Sequence, residues 1–495
     1  MKIKDDNYYS QLNREEIKSE LQKIHEEVSD DVDEMRSSLK KYQRQRHWLL
    51  WHDHSTLANY GHMLFCVREL YDPAIHFTRQ EMVDKTGKDI DIQATIEEPQ
   101  LYILGQSRST VEDQMKFVPT RQEDLRDLRN PVLTDCGVEV CDIMRFMNGD
   151  NPAAEMEDGT QHGGNYGCPG CDGNINSSHD LEYSLQRRYK TLSAKKTLIL
   201  SGPAGRKEGF HPFKDMKVEE LRVELSARGN CDEGNKEDLQ KRLSELLGGT
   251  TRLPALLHSN ENFDVSVKEL NIESYEVLFF EALHCSMNHI KNVLQELPHH
   301  ITDIDTPIKL KEILAVQMSK DKLQGVDYHK TLIYVTTALY QFANCEVKLL
   351  LVTLCEMIEI YYAQEENRSP KMILHLHNLC WRHAIQCRRV LTPPKKLTYR
   401  KLFGLYFHSC VTHSAQLLRL ASHRSTNAEM FERLFEKLSD ITTKTWSRRI
   451  EDLSTNVILH LQAEISNSVN DCILNRSEKL LRWQSPFPSW ITQYC

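Results

Sequence analysis

The chain has 495 residues, of which 40% are hydrophobic and 27% are charged, as is ordinary for a folded protein with a large interior. Its net charge of −9 argues against a chain that is basic throughout. No apolar run approaches the roughly 20 residues of a membrane-spanning helix, and no secretory apolar segment follows the N-terminus. The 14 cysteines are mostly scattered, so we expect reduced thiols inside the cell rather than a disulfide framework.

The N-terminal part of the chain combines a polar helical pattern with a short apolar run. Residues 8–45 are rich in Glu and Lys, and their apolar residues follow a helical spacing that predicts a surface helix. The run Trp48–Trp51 predicts a buried strand that delivers Asp53 at its tip. Further along, clusters of Gly, Asn and Asp at 148–151 and 163–174 mark loops.

Two short amphipathic helices around a glycine-bounded turn are predicted within residues 216–247. Gly229 and Gly234 permit the sharp reversal, and the apolar residues of each helix share one face, namely Val218, Leu221 and Leu225, then Leu239, Leu243 and Leu247. The segment resembles the SAP module, a helical pair associated with DNA binding in nuclear proteins. The resemblance implies DNA contacts from four basic residues, Arg222, Arg228, Lys236 and Arg242. An ordinary helical hairpin is the alternative.

A metal site is indicated by chelating pairs. Cys168 and Cys171 have the Cys-x-x-Cys spacing with which one turn binds a single zinc ion. A closed structural zinc site needs four ligands, so a second pair is expected. Two histidine pairs have a spacing of five residues, and spacing does not choose between them: His408 with His413, and His284 with His289.

The order of these motifs resembles that of the RAG-type recombinases and Transib-like transposases. In those proteins a Cys-x-x-Cys follows the second catalytic Asp, and a His-x-x-x-x-His precedes the catalytic Glu. Here Asp150 precedes Cys168 by 18 residues, and Glu429 follows His413 by 16. The resemblance spans about residues 45–440, implies a Zn²⁺ site of Cys168, Cys171, His408 and His413, and matches Glu281–Cys285 to part of the family's insertion, which disfavours the other histidine pair.

The same resemblance implies three acids on an RNase H-like core, located on the first strand, near the fourth strand and on a late helix. Asp53, Asp150 and Glu429 fit these positions. Carboxylates there would hold two Mg²⁺ or Mn²⁺ ions, which support cleavage and joining of phosphodiesters. Alternatives stay open: Glu432, which resembles the corresponding Glu of hAT transposases, for the third acid, and Asp33 or Asp84 for the first.

Positive charge is concentrated near the C-terminus. From Lys371 to Ile450 there are 15 Lys and Arg residues against four acids, an excess of +11, so the rest of the chain carries −20. Such a block predicts a phosphate-binding surface, with a solvated helical face as the alternative. Arg433 and Lys437, one and two turns beyond Glu429, are expected to contact phosphates.

These patterns together predict a mixed, helix-rich α/β protein whose RNase H-like core is interrupted by a SAP-like module and a large all-α insertion. The predicted regions are an N-terminal helical region (1–45), the core with Cys-x-x-Cys (46–205), the SAP-like module (210–250), the helical insertion (251–400) and the region of the histidine pair and catalytic helix (401–495). We expect a nuclear DNA transposase that acts on transposon ends and target DNA, as a homo-oligomer and without membrane partners. The alternative is a catalytically inactive DNA-binding protein derived from a mobile element.

Overall fold

A computed structural model of the chain describes residues 6–23, 28–71, 99–128, 130–133, 139–160, 164–187, 189–206, 213–258, 265, 267–270, 272, 275–278, 280–300, 308–313, 325–341, 343–363, 368–391, 400–445 and 452–463. The chain divides into two units, Met1–Met147 with Asp264–Glu276, and Asn148–Phe263 with Val277–Cys495. None of the helices in the described ranges is long and apolar enough to span a bilayer.

The first unit opens with three short helices that form a small core of their own. They are α1 (Asp6–Gln11), α2 (Arg14–Lys23) and α3 (Val32–Gln43). Their buried residues are Tyr9, Ile17, Leu21, Met35 and Leu39. The sequence predicted one surface helix here. Three helices form instead because each contributes apolar residues to a shared interior.

A six-stranded sheet follows, with the order β3-β2-β1-β5-β4 and with β6 paired to β5. The strands are β1 (Gln45–Leu57), β2 (Tyr60–Tyr71), β3 (Gln100–Gln106), β4 (Val132–Leu133), β5 (Glu139–Gly149) and β6 (Glu276–Val277). Helices α4 (Val111–Met115) and α5 (Val118–Asp127) lie between β3 and β4. The pairs β1–β2, β2–β3 and β4–β5 are antiparallel.

Side chains join β1 to β5 where both strands begin. Arg46 Nε and Trp48 Nε1 donate to the buried Asp142 Oδ1 over 2.6 and 2.7 Å. Cys141 N also donates to Arg44 O. Because these contacts involve the start of each strand, β1 and β5 run in the same direction and the sheet is mixed.

A tight hairpin extends β1 beyond the predicted strand. Ala58 and Asn59 have φ values of 48° and 70°, the left-handed conformation that two-residue hairpin turns of type I′ require. The turn therefore falls after residue 57, and Asp53 lies opposite Leu64 in the antiparallel register. The prediction that the strand ends near Trp51 and presents Asp53 at its tip was wrong, because the ladder continues through it.

The second unit is mainly helical. Its helices are α6 (Asn151–Asp158), α7 (Leu181–Leu185), α8 (Leu192–Leu200), α9 (Val218–Ala227), α10 (Lys236–Leu247), α11 (Ala282–Glu296), α12 (Gly325–Leu339), α13 (Cys345–Tyr361), α14 (Pro370–Val390), α15 (Leu405–His408), α16 (Ser414–Leu418) and α17 (Glu429–Thr445). A π-helix, Ser409–His413, joins α15 to α16. The mixed, helix-rich α/β class predicted from the sequence is confirmed.

The predicted helical hairpin is formed by α9 and α10. Gly229 and Gly234, with φ values of 68° and 123°, occupy the left-handed region between the helices. Most of the predicted apolar faces are buried, namely Leu221, Leu225, Leu239, Leu243 and Leu247. The same core includes Ile199 of α8 and Leu253, so the hairpin shares its interior with the preceding helix instead of forming the separate module expected from the sequence.

Candidate metal centre and acidic cluster

Cys168 and Cys171 lie in a buried loop after α6. Lys195 of α8 fixes this loop, since its Nζ donates to the Pro169 carbonyl over 2.5 Å and forms an ion pair with Asp158 of α6. Both charged side chains are only 2% exposed. Burial raises the pKa of Asp158 to about 6, although Lys195 opposes this shift. The loop that carries both thiols is thus anchored by a buried charge pair.

His408 and His413 are brought together by an unusual helical turn. An α-helix turns by about 500° over five residues, so two side chains at this spacing would point about 140° apart. The chain from Ser409 to His413 is instead a π-helix, with Ser414 N donating to Ser409 O. This wider turn closes on the fifth residue, so the two rings lie with centroids 4.7 Å apart. Such turns occur frequently at functional sites.

The four predicted zinc ligands converge and are all buried, with their ligand atoms within 4.8 Å of one another. The distance from Sγ to Nε2 is 3.4 Å between Cys168 and His413, and 3.3 Å between Cys171 and His408. The two histidine Nε2 atoms are 3.0 Å apart. Tetrahedral zinc, with bonds of about 2.3 Å to sulfur and 2.0 Å to nitrogen, would separate S from N by about 3.5 Å and N from N by about 3.3 Å. The group could therefore hold a metal ion such as zinc.

Hydrogen bonds behind the rings orient both histidines. Nδ1 of His413 lies 3.0 Å from Gln416 Oε1, and Nδ1 of His408 lies 3.4 Å from Thr412 Oγ1. The amide oxygen only accepts, so His413 carries its proton on Nδ1 and turns the Nε2 lone pair toward the thiols. Outer partners of this kind are typical of metal-binding histidines. Two facing imidazole nitrogens repel unless a proton or cation lies between them, and a metal ion fits this position.

The electrostatics of the four residues also suit a cation. The hydrogen bond from Cys168 lowers the pKa of Cys171 well below its usual value, against the effect of burial. Burial raises the pKa of Cys168 well above its usual value and lowers the pKa of His408. One thiolate, one thiol and a neutral His408 are therefore favoured without a metal, and binding a divalent ion would release the remaining thiol proton.

A second group of charged residues surrounds the start of α11. Glu281 caps this helix by accepting from the backbone nitrogens of Leu283 and His284 over 2.8 and 2.6 Å. It also accepts from Ala428 N over 2.9 Å, immediately before α17 begins. Asp150 caps α6 by accepting from Ala153 N over 3.0 Å. Buried Glu281 thus joins the starts of α11 and α17.

His284 links the acids of this group. Its Nδ1 lies 2.8 Å from Glu281 Oε2, and its Nε2 lies 3.6 Å from Glu432 Oε1. Burial alone would lower the pKa of His284, but Glu281, Glu432 and Asp150 outweigh it and raise the pKa to about 9. Burial raises the pKa of Glu432; His284 opposes this shift, and the charges of Glu281 and Asp150 add to it. Asp150 therefore acts on both His284 and Glu432. We refer to Asp150, Glu281, His284 and Glu432 as the acidic cluster.

The other predicted acids have different surroundings. Glu429 begins α17 and accepts from Arg433 over 2.5 Å, where the arginine side chain is 65% exposed. Asp53 lies on β1 of the first unit, and its Oδ1 accepts from His54 N over 2.7 Å. Asp33 pairs with the neighbouring Arg36 on α3, and Asp84 lies outside the described residues. The roles of Asp53 and Glu429 stay predictions.

The basic residues assigned to DNA fall into two groups. Arg228 is buried, pairs with Glu224 over 3.2 Å and donates to Ser201 Oγ over 2.8 Å, so it holds the hairpin against α8. Arg242 donates to Cys231 O in the turn between α9 and α10. The remaining four have exposed or partly exposed side chains, namely Arg222, Lys236, Arg433 and Lys437.

The alternative zinc pair is not formed. His284 belongs to the acidic cluster, whereas His289 Nε2 lies 2.7 Å from His383 Nε2. The sequence did not predict that Glu281 and His284 would act on the candidate catalytic acids. The available signal was a Glu three residues before a His at a helix start, a spacing at which side chains meet.

Comparison with known proteins identifies no relative. No protein-family model matches the chain, and no curated protein matches it either.

Proposed function

We propose that the chain is the zinc-stabilised core of a nuclear DNA transposase or recombinase-like enzyme that cleaves DNA strands and joins them to a target. One observation carries this proposal: Asp150 and Glu432, far apart in the sequence, act on each other and on His284 within one acidic cluster. Carboxylates gathered in this way repel one another, and a bound cation would offset that repulsion.

The arrangement of strands supports an RNase H-like core. A candidate acid lies on the first strand, since Asp53 belongs to β1. Asp150 directly follows β5, the strand beside β1 in the sheet. The late helix is α17, on which Glu432 Oε1 lies 3.6 Å from His284 Nε2. We therefore take Glu432 in place of Glu429 as the third acid, with Asp53 as the first.

Asp150 and Glu432 would hold Mg²⁺ or Mn²⁺, because carboxylate oxygens are the ligands that these ions prefer. The family resemblance implies Asp53 as the further acid. When bound, the ions would activate the attacking oxygen and neutralise charge on the phosphate. The residues suit such ions, since the charges of Asp150 and Glu432 both act on His284 and on each other. The excess of acidic groups favours a divalent cation.

The protein's own groups position these acids. Asp150 is fixed through one oxygen by its bond to Ala153 N. His284, with a pKa of about 9, carries a proton at neutral pH and presents it toward Glu432. Its positive charge offsets repulsion between Glu432 and Asp150. Glu281 keeps His284 in place and, through Ala428 N, sets where α17 begins.

The zinc centre has a structural role in this proposal. It would join the Cys168 loop, which follows the helix that Asp150 caps, to the π-helix that precedes α17. Four protein ligands leave no open position, as in structural zinc sites. DNA contacts would come from exposed basic side chains, namely Arg222, Lys236, Arg433 and Lys437. The partners would be transposon ends and target DNA, bound by a homo-oligomer.

The test is strand cleavage and joining on DNA that contains both genomic flanks of the gene encoding the chain. Nicked and joined products should form with Mg²⁺ or Mn²⁺, but not with Ca²⁺ or without added divalent ions. Zinc content should be the same in every reaction, which separates the catalytic ions from the structural one. A folded, zinc-loaded protein that binds DNA without cutting it would instead favour the inactive DNA-binding descendant of a mobile element.

A further inference from the structure

A second set of metal-binding side chains lies buried between two helices of the second unit. His289 belongs to α11, and His383 and Cys387 belong to α14. One ligand atom from each residue lies within 4.8 Å of the others. We propose that these three residues hold a second transition-metal ion, which is zinc under ordinary cellular conditions. This inference is independent of the catalytic proposal.

The geometry of the three donors resembles that of the first centre. His289 Nε2 lies 2.7 Å from His383 Nε2, and His383 Nε2 lies 3.3 Å from Cys387 Sγ. His383 and Cys387 are four residues apart on a helix, so both project from one face. The imidazole planes of the two histidines are nearly perpendicular, at 88°. Both nitrogens and the sulfur therefore point into one small space.

Burial makes this arrangement costly without an ion. Each of the three residues is at most 2% exposed. Two facing Nε2 atoms share only one proton, and neither Nδ1 atom of His289 or His383 has a hydrogen-bond partner among the described residues. A metal ion bonded to both Nε2 atoms and to the thiolate would remove the repulsion between the two facing nitrogens, with each ring proton on Nδ1.

The donor set selects the class of ion. Two imidazoles and a thiolate suit zinc and other soft or borderline transition metals, and not Mg²⁺ or Ca²⁺. Binding requires the Cys387 thiolate, so the thiol proton passes to solvent as the metal–sulfur bond forms. The ion would cross-link α11 to α14. Because α11 also carries His284, this second centre would hold the helix that positions the acidic cluster.

Zinc content per chain tests the inference. Protein freed of loosely bound metal by gel filtration should contain two zinc ions, and Cys387→Ser should contain one. Cys380→Ser is the matched control, because Cys380 lies on the same helix, is 1% exposed and contacts Cys410 O instead of a histidine. It should keep two ions. One ion in the wild-type protein that Cys387→Ser retains would overturn the inference.

Cobalt titration of the metal-free wild-type protein gives a result that does not depend on any variant folding. The thiolate-to-cobalt charge-transfer absorption should keep growing through the second equivalent, because both centres contain cysteine. Saturation after one equivalent overturns the two-centre account. The wild-type protein could also contain a single zinc ion. If Cys387→Ser loses that ion and Cys168→Ser keeps it, the second centre is supported and the first is contradicted.

Discussion

The Nε2 atoms of His408 and His413 lie 3.0 Å apart although five residues separate them in the sequence. The π-helix Ser409–His413 makes this approach possible, because its turn is one residue wider than an α-helical turn. Both nitrogens also face the thiols of the Cys168 loop. The turn and the loop together form a site with four donors that could hold a metal ion such as zinc.

Cys171→Ser should remove one zinc ion per chain and lower the free energy of unfolding by about 4 kcal/mol or more, because loss of a metal is among the most destabilising single changes. Cys231→Ser is the control, since Cys231 is exposed on the turn between α9 and α10. It should change neither quantity. Metal analysis and chemical denaturation measure both effects, and equal zinc contents in the two variants would refute the assignment.

Lys195→Met should lower the free energy of unfolding by about 3–5 kcal/mol, because it leaves Asp158 buried without its partner. It should also weaken zinc binding, since Pro169 O in the Cys168 loop loses a hydrogen-bond donor. Lys196→Met, at a less buried neighbouring position, is the control. Adding Asp158→Asn to Lys195→Met should restore part of the loss. A double variant no more stable than Lys195→Met would show that the two residues are not coupled.

His423 should make the protein sensitive to acid. Burial lowers the pKa of this fully buried histidine to about 3, against the effects of Ser414 and Glu281, and its ring lies between Phe280 and Tyr361. The unfolded chain takes up a proton near pH 6.5, whereas the folded protein does not until about pH 3. The stability that the neutral ring provides is thus complete above pH 6.5 and is lost as the pH falls.

The corresponding test compares His423→Gln with wild type across pH 4.5–7.5. The wild-type protein should lose about 1 kcal/mol more than the variant for each pH unit below 6.5. His375→Gln, which replaces an exposed histidine of α14, should follow the wild-type curve. Parallel curves for wild type and His423→Gln would show that the buried ring does not titrate as described.

In the hairpin of α9 and α10, substitution of a buried arginine should affect stability, whereas substitution of exposed basic residues should affect DNA binding. Arg228→Ala should destabilise the protein by about 3–5 kcal/mol, because it leaves Glu224 unpaired in the interior. Lys236→Ala and Arg222→Ala should leave stability within about 0.5 kcal/mol and weaken DNA binding with a smaller salt dependence. Binding titrations at several salt concentrations measure this. Unchanged affinity for DNA in both surface variants would show that the hairpin is not part of the DNA-binding surface.

The four residues of the metal site could be named from the sequence, because Cys-x-x-Cys is a local pattern with direct chemical meaning and the family resemblance chose between two equally spaced histidine pairs. The π-helix could not be predicted, since nothing in Ser409–His413 distinguishes it from an ordinary helix. The helices of the hairpin followed from their leucine spacing. Its attachment to α8 did not, because a long-range contact such as that of Arg228 leaves no periodic signal.

The choice of the third candidate acid shows a different limit of prediction from the sequence. Glu429 and Glu432 are three residues apart on α17; the resemblance to RAG-type recombinases favours Glu429, whereas Glu432 resembles the corresponding Glu of hAT transposases. The direction of each side chain depends on α11, which brings His284 toward Glu432, while Glu429 pairs with Arg433. The extent of β1 was likewise decided by the turn at Ala58 and Asn59, residues with no strong turn preference as a pair. Tertiary contacts determine the extent of β1, whereas the choice of Glu432 over Glu429 stays a proposal.

Cleavage and joining of flank-bearing DNA by three matched variants tests the central proposal most directly. Asp150→Asn and Glu432→Gln should each lower the rate by about 100-fold or more, because each removes a charged metal ligand while keeping its shape. Glu429→Gln, on the same helix, should stay within about threefold of wild type. Folding and zinc content should be unchanged in all three. Wild-type protein that is folded, zinc-loaded and inactive on this DNA, or an Asp150→Asn variant as active as wild type, would contradict the account.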